Sequence, residues 1–221
     1  EFNSTPVIVQ SDGTAASGTD TEVNVMTLSN GNIWEIINIG TQTIIAPVYS
    51  ADGLNIARDQ NANEGTAMGL GILSSSPAAF TVGTDAFFAM LRFSIADVSG
   101  TDDCAFGFRK AEAYQAAIDD YDEMAALNVI AGAITIETIL NNGSTTVTDT
   151  TDTWADTATH ELTVFVDIAG AVTYEIDGAA PTTTAAFSFD SGEVVVPFIY
   201  LLQDTDLSGA INLKHFECGV Q

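Results

Sequence analysis

The stretch His160-Glu161-Leu162-Thr163-Val164-Phe165-Val166-Asp167-Ile168-Ala169-Gly170-Ala171-Val172-Thr173-Tyr174-Glu175-Ile176 decides the fold. Leu162, Val164 and Val166 alternate with polar or mixed residues, and so do Val172, Tyr174 and Ile176. A period of two marks half-buried strands. Two registers can join them. A two-residue Ala169-Gly170 turn pairs Val166 with Thr173 and Val164 with Glu175, which mixes the faces. A three-residue loop, Ile168-Ala169-Gly170, pairs Val166 with Val172, Val164 with Tyr174 and Leu162 with Ile176. A slip of one residue turns every side chain to the other face, so burial selects the second register, with Gly170 left-handed.

Outward from this hairpin, similar segments recur with turn signals between them. Before it lie Ile33–Ile39, Thr43–Tyr49, Leu54–Arg58, Thr66–Leu73, Phe80–Val82, Phe87–Ile95, Ala105–Phe108 and Ala133–Leu140. After it come Ala185–Phe189, Val194–Leu202 and Ile211–Cys218. Short strands at this spacing predict an all-β, two-sheet antiparallel jelly-roll sandwich rather than a βαβ fold. Residues 1–32, rich in Ser, Thr, Asn, Asp and Gly, read as an N-terminal arm or edge strands, and 33–221 as the sandwich domain. Ser144 to Thr159 reads as an exposed strand and loop.

The exception to β is Lys110–Leu127. Tyr114, Ala117, Ile118, Tyr121, Met124 and Ala125 fall on one face of a helix, with Glu112, Gln115, Asp119, Asp122 and Glu123 opposite. The spacing predicts one short helix near 110–125. Acids crowd its C-terminal half, against the macrodipole, so it should end early, near Asp119 or Asp120.

Composition bounds function. Of the 221 residues, 46% are hydrophobic, enough for a sizeable core. Thirty Asp and Glu oppose five basic residues, a formal charge of −25. The only adjacent basic pair is Arg109-Lys110, so neither nucleic acid nor an anionic membrane is a partner. Such a chain repels its own copies and is better tolerated where salt screens it. No apolar run is long enough to span a bilayer. The chain begins at Glu1 rather than Met, which fits a processed or mature start. Cys104 and Cys218, far apart, read as two buried thiols rather than a disulfide.

Catalytic and metal motifs are weak. A Glu-x-Asp-x-x-Glu glycosidase pattern finds only Glu175-Ile176-Asp177, with Ala180 where the third carboxylate belongs, so the pair reads as a strand end. His160 and His215 lack a neighbouring nucleophile and read as structural. Asp204-Thr205-Asp206-Leu207-Ser208-Gly209 matches the first half of a calcium loop, but His215 occupies the position of the bidentate Glu, so an Asp/Gly-rich turn is the better reading. Asp149, Asp152 and Asp156 form a looser acidic group. No catalytic residue, cofactor or metal is assigned. A carbohydrate-binding reading needs exposed aromatics; Trp34, Trp154, Tyr49 and Tyr200 are the candidates, most of them in core-like patterns.

From Trp154 through His160-Glu161-Leu162 to Val172-Thr173-Tyr174-Glu175-Ile176-Asp177-Gly178, the sequence resembles the hairpin of concanavalin A-like (laminin-G-like) jelly-roll sandwiches. Val195-Val196-Pro197-Phe198 to Leu213-Lys214-His215-Phe216-Glu217-Cys218 resembles their last core strands. Pro47 through Gly71, with Asp52-Gly53-Leu54 and Gly65, resembles their opening strands. Phe106-Gly107-Phe108-Arg109-Lys110, the Asp119-Asp120-Tyr121 run and the closing segment are similar to virion structural proteins of marine bacteriophages. The resemblance spans roughly 45–221 and transfers no site. It implies a non-enzymatic capsid-surface (decoration or cement) protein, held by a major capsid protein and by sister copies as a homo-oligomer; a trimer fits a quasi-threefold position. The alternative is a carbohydrate-binding (lectin-like) module of a fibre or secreted protein.

Overall fold

The computed structural model describes residues 7–10, 24–27, 33–40, 47–57, 62–69, 79–203 and 209–221, with backbone alone at 7–10, 24–27 and 33. In chain order the strands are β1 (Val7–Gln10), β2 (Asn24–Thr27), β3 (Ile33–Ile39), β4 (Val48–Ser50), β5 (Gly53–Asn55) and β6 (Gly65–Gly69). They continue as β7 (Phe80–Thr81), β8 (Phe87–Ile95), β9 (Thr101–Lys110), β10 (Met124–Ile130) and β11 (Ala133–Ile139). The last five are β12 (Thr146–Thr153), β13 (Thr159–Val166), β14 (Val172–Ile176), β15 (Val194–Gln203) and β16 (Ile211–Val220).

They form two antiparallel sheets. The larger runs β1-β2-β3-β6-β15-β9-β10-β11-β12, with β7 paired to one end of β15; the smaller runs β14-β13-β8-β16-β5-β4. This is the expected jelly-roll sandwich. Alternation sorts each strand's side chains between core and outer face. Phe106, Phe108, Leu127, Ile136 and Ile199 of the large sheet meet Phe87, Leu91, Phe93, Leu162 and Leu213 of the small one in a single buried cluster. Phe87 stands edge-on to Phe108 at 5.1 Å, and Trp154 fills the end of the core 4.5 Å from Phe93. Burying rings of this size stabilises by about 2–3 kcal/mol each. Cys104 is buried, Cys218 is half-buried, and both are free thiols; burial pushes Cys104 up to about 12 and Cys218 to about 11.

The hairpin register is the one face-matching selected. Val166 pairs with Val172, Val164 with Tyr174 and Leu162 with Ile176. Gly170 has φ +92°.

Two expectations are corrected. No helix occupies 110–125: β9 continues through Lys110, a 3₁₀ turn spans Ile118–Asp120, and β10 starts at Met124. The helical spacing of Tyr114, Ile118 and Tyr121 reflects one buried surface, but they lie on a strap across the large sheet (below). The slot between β9 and β11 offers Met124–Asn128 ladder pairing on both sides and burial on both faces. A short helix ending in Asp119, Asp120, Asp122 and Glu123 has no comparable reward. The expected strand Ala185–Phe189 contracts to a single bridge, Ser188 with Ala171. The Val172 N–H donates to Phe187 O and the Phe189 N–H to Gly170 O, so this segment closes over the hairpin loop rather than adding a strand. Among the described residues no helix is long and apolar enough to cross a membrane.

Candidate functional site on the outer face of the large sheet

The outer face of the large sheet is floored by small residues: Ala67 of β6, Ala105 and Gly107 of β9, and Ala126 of β10. Residues 111–123 fold across it as a strap. Ile118 and Tyr121 are buried in a second apolar cluster with Ile39, Ala67, Ala105, Met124, Phe198 and Tyr200, and Tyr121 meets Phe198 at 5.8 Å. The Tyr114 hydroxyl donates to Glu35 O at 3.2 Å, and that of Tyr200 donates to Ala116 O at 2.7 Å. Burial raises both tyrosines above the ordinary range. A cavity of about 240 Å³ remains at the strap's N-terminal end, between Ile37, Ile39 and Gly40 on one side and Tyr114, Gln115 and Ala116 on the other.

Arg109 points to this face and is completely buried. Its guanidinium lies 5.0 Å from the Tyr114 ring centroid and 4.7 Å from that of Tyr121, and Nη1 donates to the carbonyls of Lys110 and Glu112, each at 2.9 Å. Cation–π contact and charge-assisted bonds thus anchor the strap where it leaves β9. Lys110 reaches the opposite way, 2.7 Å from Glu193 and 3.7 Å from Asp122. The one adjacent basic pair is therefore consumed within the fold.

Beside the strap lie two carboxyl groups, Glu137 buried and Asp103 half-buried. β9 shifts register against β15 between Leu202 and Gln203, a bulge at Asp102-Asp103. There the Asn128 carboxamide replaces the ladder: its Oδ1 accepts the Cys104 N–H at 2.8 Å, and its Nδ2 donates to Asp103 Oδ1 at 2.6 Å. The Thr135 hydroxyl donates to Glu137 Oε1 at 3.3 Å. Burial, with the Asp103 charge adding to it, pushes Glu137 up to about 7. Burial, with Asp102 and Asp119 adding, pushes Asp103 up to about 6 despite its bond from Asn128. Burial thus holds both carboxyl groups above their ordinary range, which marks the cluster as a candidate site. Asp119, on the strap, is tied by the Thr145 hydroxyl at 2.7 Å.

The outer face of the small sheet carries half-exposed Phe88, Met90 and Phe165, with the two rings 6.2 Å apart. At its edge His160 Nδ1 lies 2.6 Å from Asp177 Oδ2, and the His160 ring stands edge-on to Trp154 at 4.6 Å.

Trp34, Trp154 and Tyr200 are buried and Tyr49 is half-buried, so these four form no exposed aromatic platform. Asp177 caps the β14 end by accepting the Glu161 N–H, while Glu175 is half-buried on the outer face. Asp149 accepts the Thr151 N–H, Asp152 the Thr182 N–H and hydroxyl, and Asp156 the Val98 N–H, three separate backbone contacts, the last two between distant segments. Among the described residues no three His, Cys, Asp or Glu side chains are grouped to hold a metal. Of the candidate calcium loop, Asp204 to Ser208 lie outside the described residues. The Asp103–Glu137 pair escaped sequence reading; the available signal was a lone Asn128 in apolar β10 and a lone charged residue, Glu137, in β11.

No protein-family model matches the sequence, and no curated protein is similar to it. Solved structures are similar in fold. The carbohydrate recognition domain of Emp47p has a TM-score of 0.56 at 14% identity, covering 88% of this chain and 90% of its own. Alginate lyase PA1167 from Pseudomonas aeruginosa has 0.52 at 10%, covering 100% and 99%. Alginate lyase A1-II', of polysaccharide lyase family 7, has 0.51 at 9%, covering 100% and 95%. The fold is the concanavalin A-like jelly roll. At these identities the likeness is one of fold.

Proposed function

We propose that this chain is a structural protein of a virus particle, set on the outer surface of a capsid. The observation that carries the reading is the strap: residues 111–123 cover the outer face of the large sheet with the chain's own Tyr114, Ile118 and Tyr121. Arg109 is spent on holding the strap rather than on a ligand. A sandwich closed in this way is suited to being packed against neighbours. The half-exposed Phe88, Met90 and Phe165, together with β12 and β1 at the ends of the large sheet, are the surfaces another chain can cover. The formal charge of −25 keeps an outward surface soluble at high local concentration. A lasting contact of this kind buries about 1,000 Å² or more.

The test is to purify particles of the encoding virus and count this chain by quantitative mass spectrometry. Copies in the hundreds, lost when residues 1–32 are deleted from an otherwise folded chain, support the reading; particles without the chain overturn it. The fold shared with the Emp47p carbohydrate recognition domain favours a second reading, a carbohydrate-binding module. Micromolar binding to a glycan array by the isolated domain would establish that reading.

A further inference from the structure

We infer that the outer face of the small sheet docks an extended segment of a different protein chain, one with basic side chains at positions i and i+4 and an apolar side chain at i+2. The inference deepens the particle reading, on which the origin of that partner chain rests.

The ladder registers map the face. Leu162, Val164, Ala89, Leu91 and Tyr174 are buried in the core, so their neighbours along each strand point outward. On β16, Phe216 and Cys218 pack toward the core and leave Glu217 and Gly219 outside. Rows of side chains therefore cross β14, β13, β8 and β16 in turn. One row is Thr173, Phe165, Phe88 and Gly219. The next is Glu175, Thr163, Met90 and Glu217. The Phe88 ring reaches over Gly219, where a Cβ would lie 3.8 Å from its Cε1. An open groove of about 380 Å³ runs along the β14 side, lined by Phe165, Asp167, Thr173 and Glu175.

The second row sets the chemistry of the occupant. Half-buried Met90 lies inside it and a carboxylate stands at each end. Four adjacent strands put three ladder spacings, about 14 Å, between Glu175 and Glu217. An extended segment rises about 3.4 Å per residue and turns residues i, i+2 and i+4 to one side, so i to i+4 also spans about 14 Å. Each basic side chain then meets a carboxylate, and the apolar one packs on Met90 beside Phe88 and Phe165. Among the described residues no cation pairs with Glu175, and Glu217 has only His215 Nε2 at 3.7 Å. Arg92 lies in the following row, between Glu161 and His215. A second copy of this chain does not supply the segment. Its basic residues are Arg58, Arg92, Arg109, Lys110 and Lys214, and no two are four apart.

The probe is the peptide Thr-Lys-Thr-Leu-Thr-Lys-Thr, capped at both ends, titrated into the full chain and followed by amide chemical shifts. Shifts should gather at Phe88, Met90, Phe165 and Gly219 and leave Leu127 and Ile136 of the large sheet unmoved. A peptide of the same composition with its two lysines adjacent should bind about tenfold more weakly, and so should the first peptide to Glu175→Gln/Glu217→Gln, the loss of two exposed ion pairs. Equal binding in either comparison overturns the inference, as does no binding of the first peptide. Shifts on this face with maltotetraose and none with the peptide overturn it in favour of the carbohydrate reading. Particles stripped of the chain and rebuilt with it keep the two readings apart. If the wild type and the double variant rejoin particles equally, the inference fails and the particle reading stands. If the peptide binds as expected and the wild type does not rejoin particles, the particle reading fails and the docking chemistry stands.

Discussion

Val164 stands directly opposite Tyr174 across the β13–β14 ladder, both side chains buried in the core, because Gly170 lets a three-residue loop close the hairpin in that register. Gly170 has a second duty. A Cβ there would lie 2.3 Å from Phe189 O and 3.0 Å from Val82 Cγ1. Gly170→Val should therefore cost about 1–2 kcal/mol for its φ alone, with displacement of the Phe187–Phe189 segment adding to it. Urea unfolding measures the loss. Gly170→Ala should recover little of it, since the clash begins at Cβ.

Buried Glu137 and half-buried Asp103 predict a stability that rises as the solution is acidified. Both groups have folded-state values above their ordinary ones, so the folded chain binds more protons than the unfolded chain between those limits. The penalty is fully present above about pH 7, where Glu137 is ionised, and is relieved as pH falls through 7 and 6. Glu137→Gln should be more stable than the wild type at about pH 8 by on the order of 2 kcal/mol and should lose that advantage near pH 5. Paired urea titrations at the two pH values measure this. An advantage that persists at pH 5 would show that packing, not charge, sets the difference.

Legibility in the sequence follows how local the determining interactions are. The β13–β14 hairpin was readable because its partners are a few residues apart and its two faces differ in polarity. The strap was not. Tyr114, Ile118 and Tyr121 show helical spacing because all three bury, but their surface is built by β6, β15 and β9, whose order the sequence does not state. Arg109 and Lys110 are the one adjacent basic pair in the sequence, and alternation sends one beneath the strap and the other to Glu193. Asp103 and Glu137 share a face only once β9, β10 and β11 are neighbours, and the bulge that places Asp103 has no sequence mark.

His160 and Asp177 close the end of the small sheet. Burial opposes ionisation of Asp177, but the bonds from His160 and from the Glu161 N–H outweigh it and hold the carboxyl below the usual range. The sign is opposite to that of Glu137: this stability is present above the ordinary aspartate value and is lost as pH falls through the lowered one. Asp177 is about half exposed, so Asp177→Asn should cost only about 1 kcal/mol at neutral pH. Asparagine also tolerates the φ of +52° found here, which confines the change to charge. Thermal melts of the wild type and Asp177→Asn should converge in acid. His160→Ala should cost more, because it also removes the edge contact with Trp154.

The net charge makes a prediction about salt. With −25 formal charge, the folded chain carries its carboxylates closer together than the unfolded chain does, and Asp102 and Asp119 both sit within electrostatic reach of Asp103. Sodium chloride shortens the Debye length from about 30 Å at 0.01 M to about 8 Å at 0.15 M, screening the exposed members and leaving the buried Glu137 largely untouched. Melting temperature should therefore rise over that range, by a similar amount in Glu137→Gln. A flat or falling melting temperature would remove self-repulsion as a determinant of stability. Millimolar calcium at constant ionic strength separates screening from site binding. If stabilisation appears only with calcium and disappears in Asp204→Ala, the loop from Asp204 to Gly209 is a cation site and the salt effect is its occupancy. If sodium alone suffices and Asp204→Ala behaves as the wild type, diffuse repulsion among the carboxylates accounts for the rise.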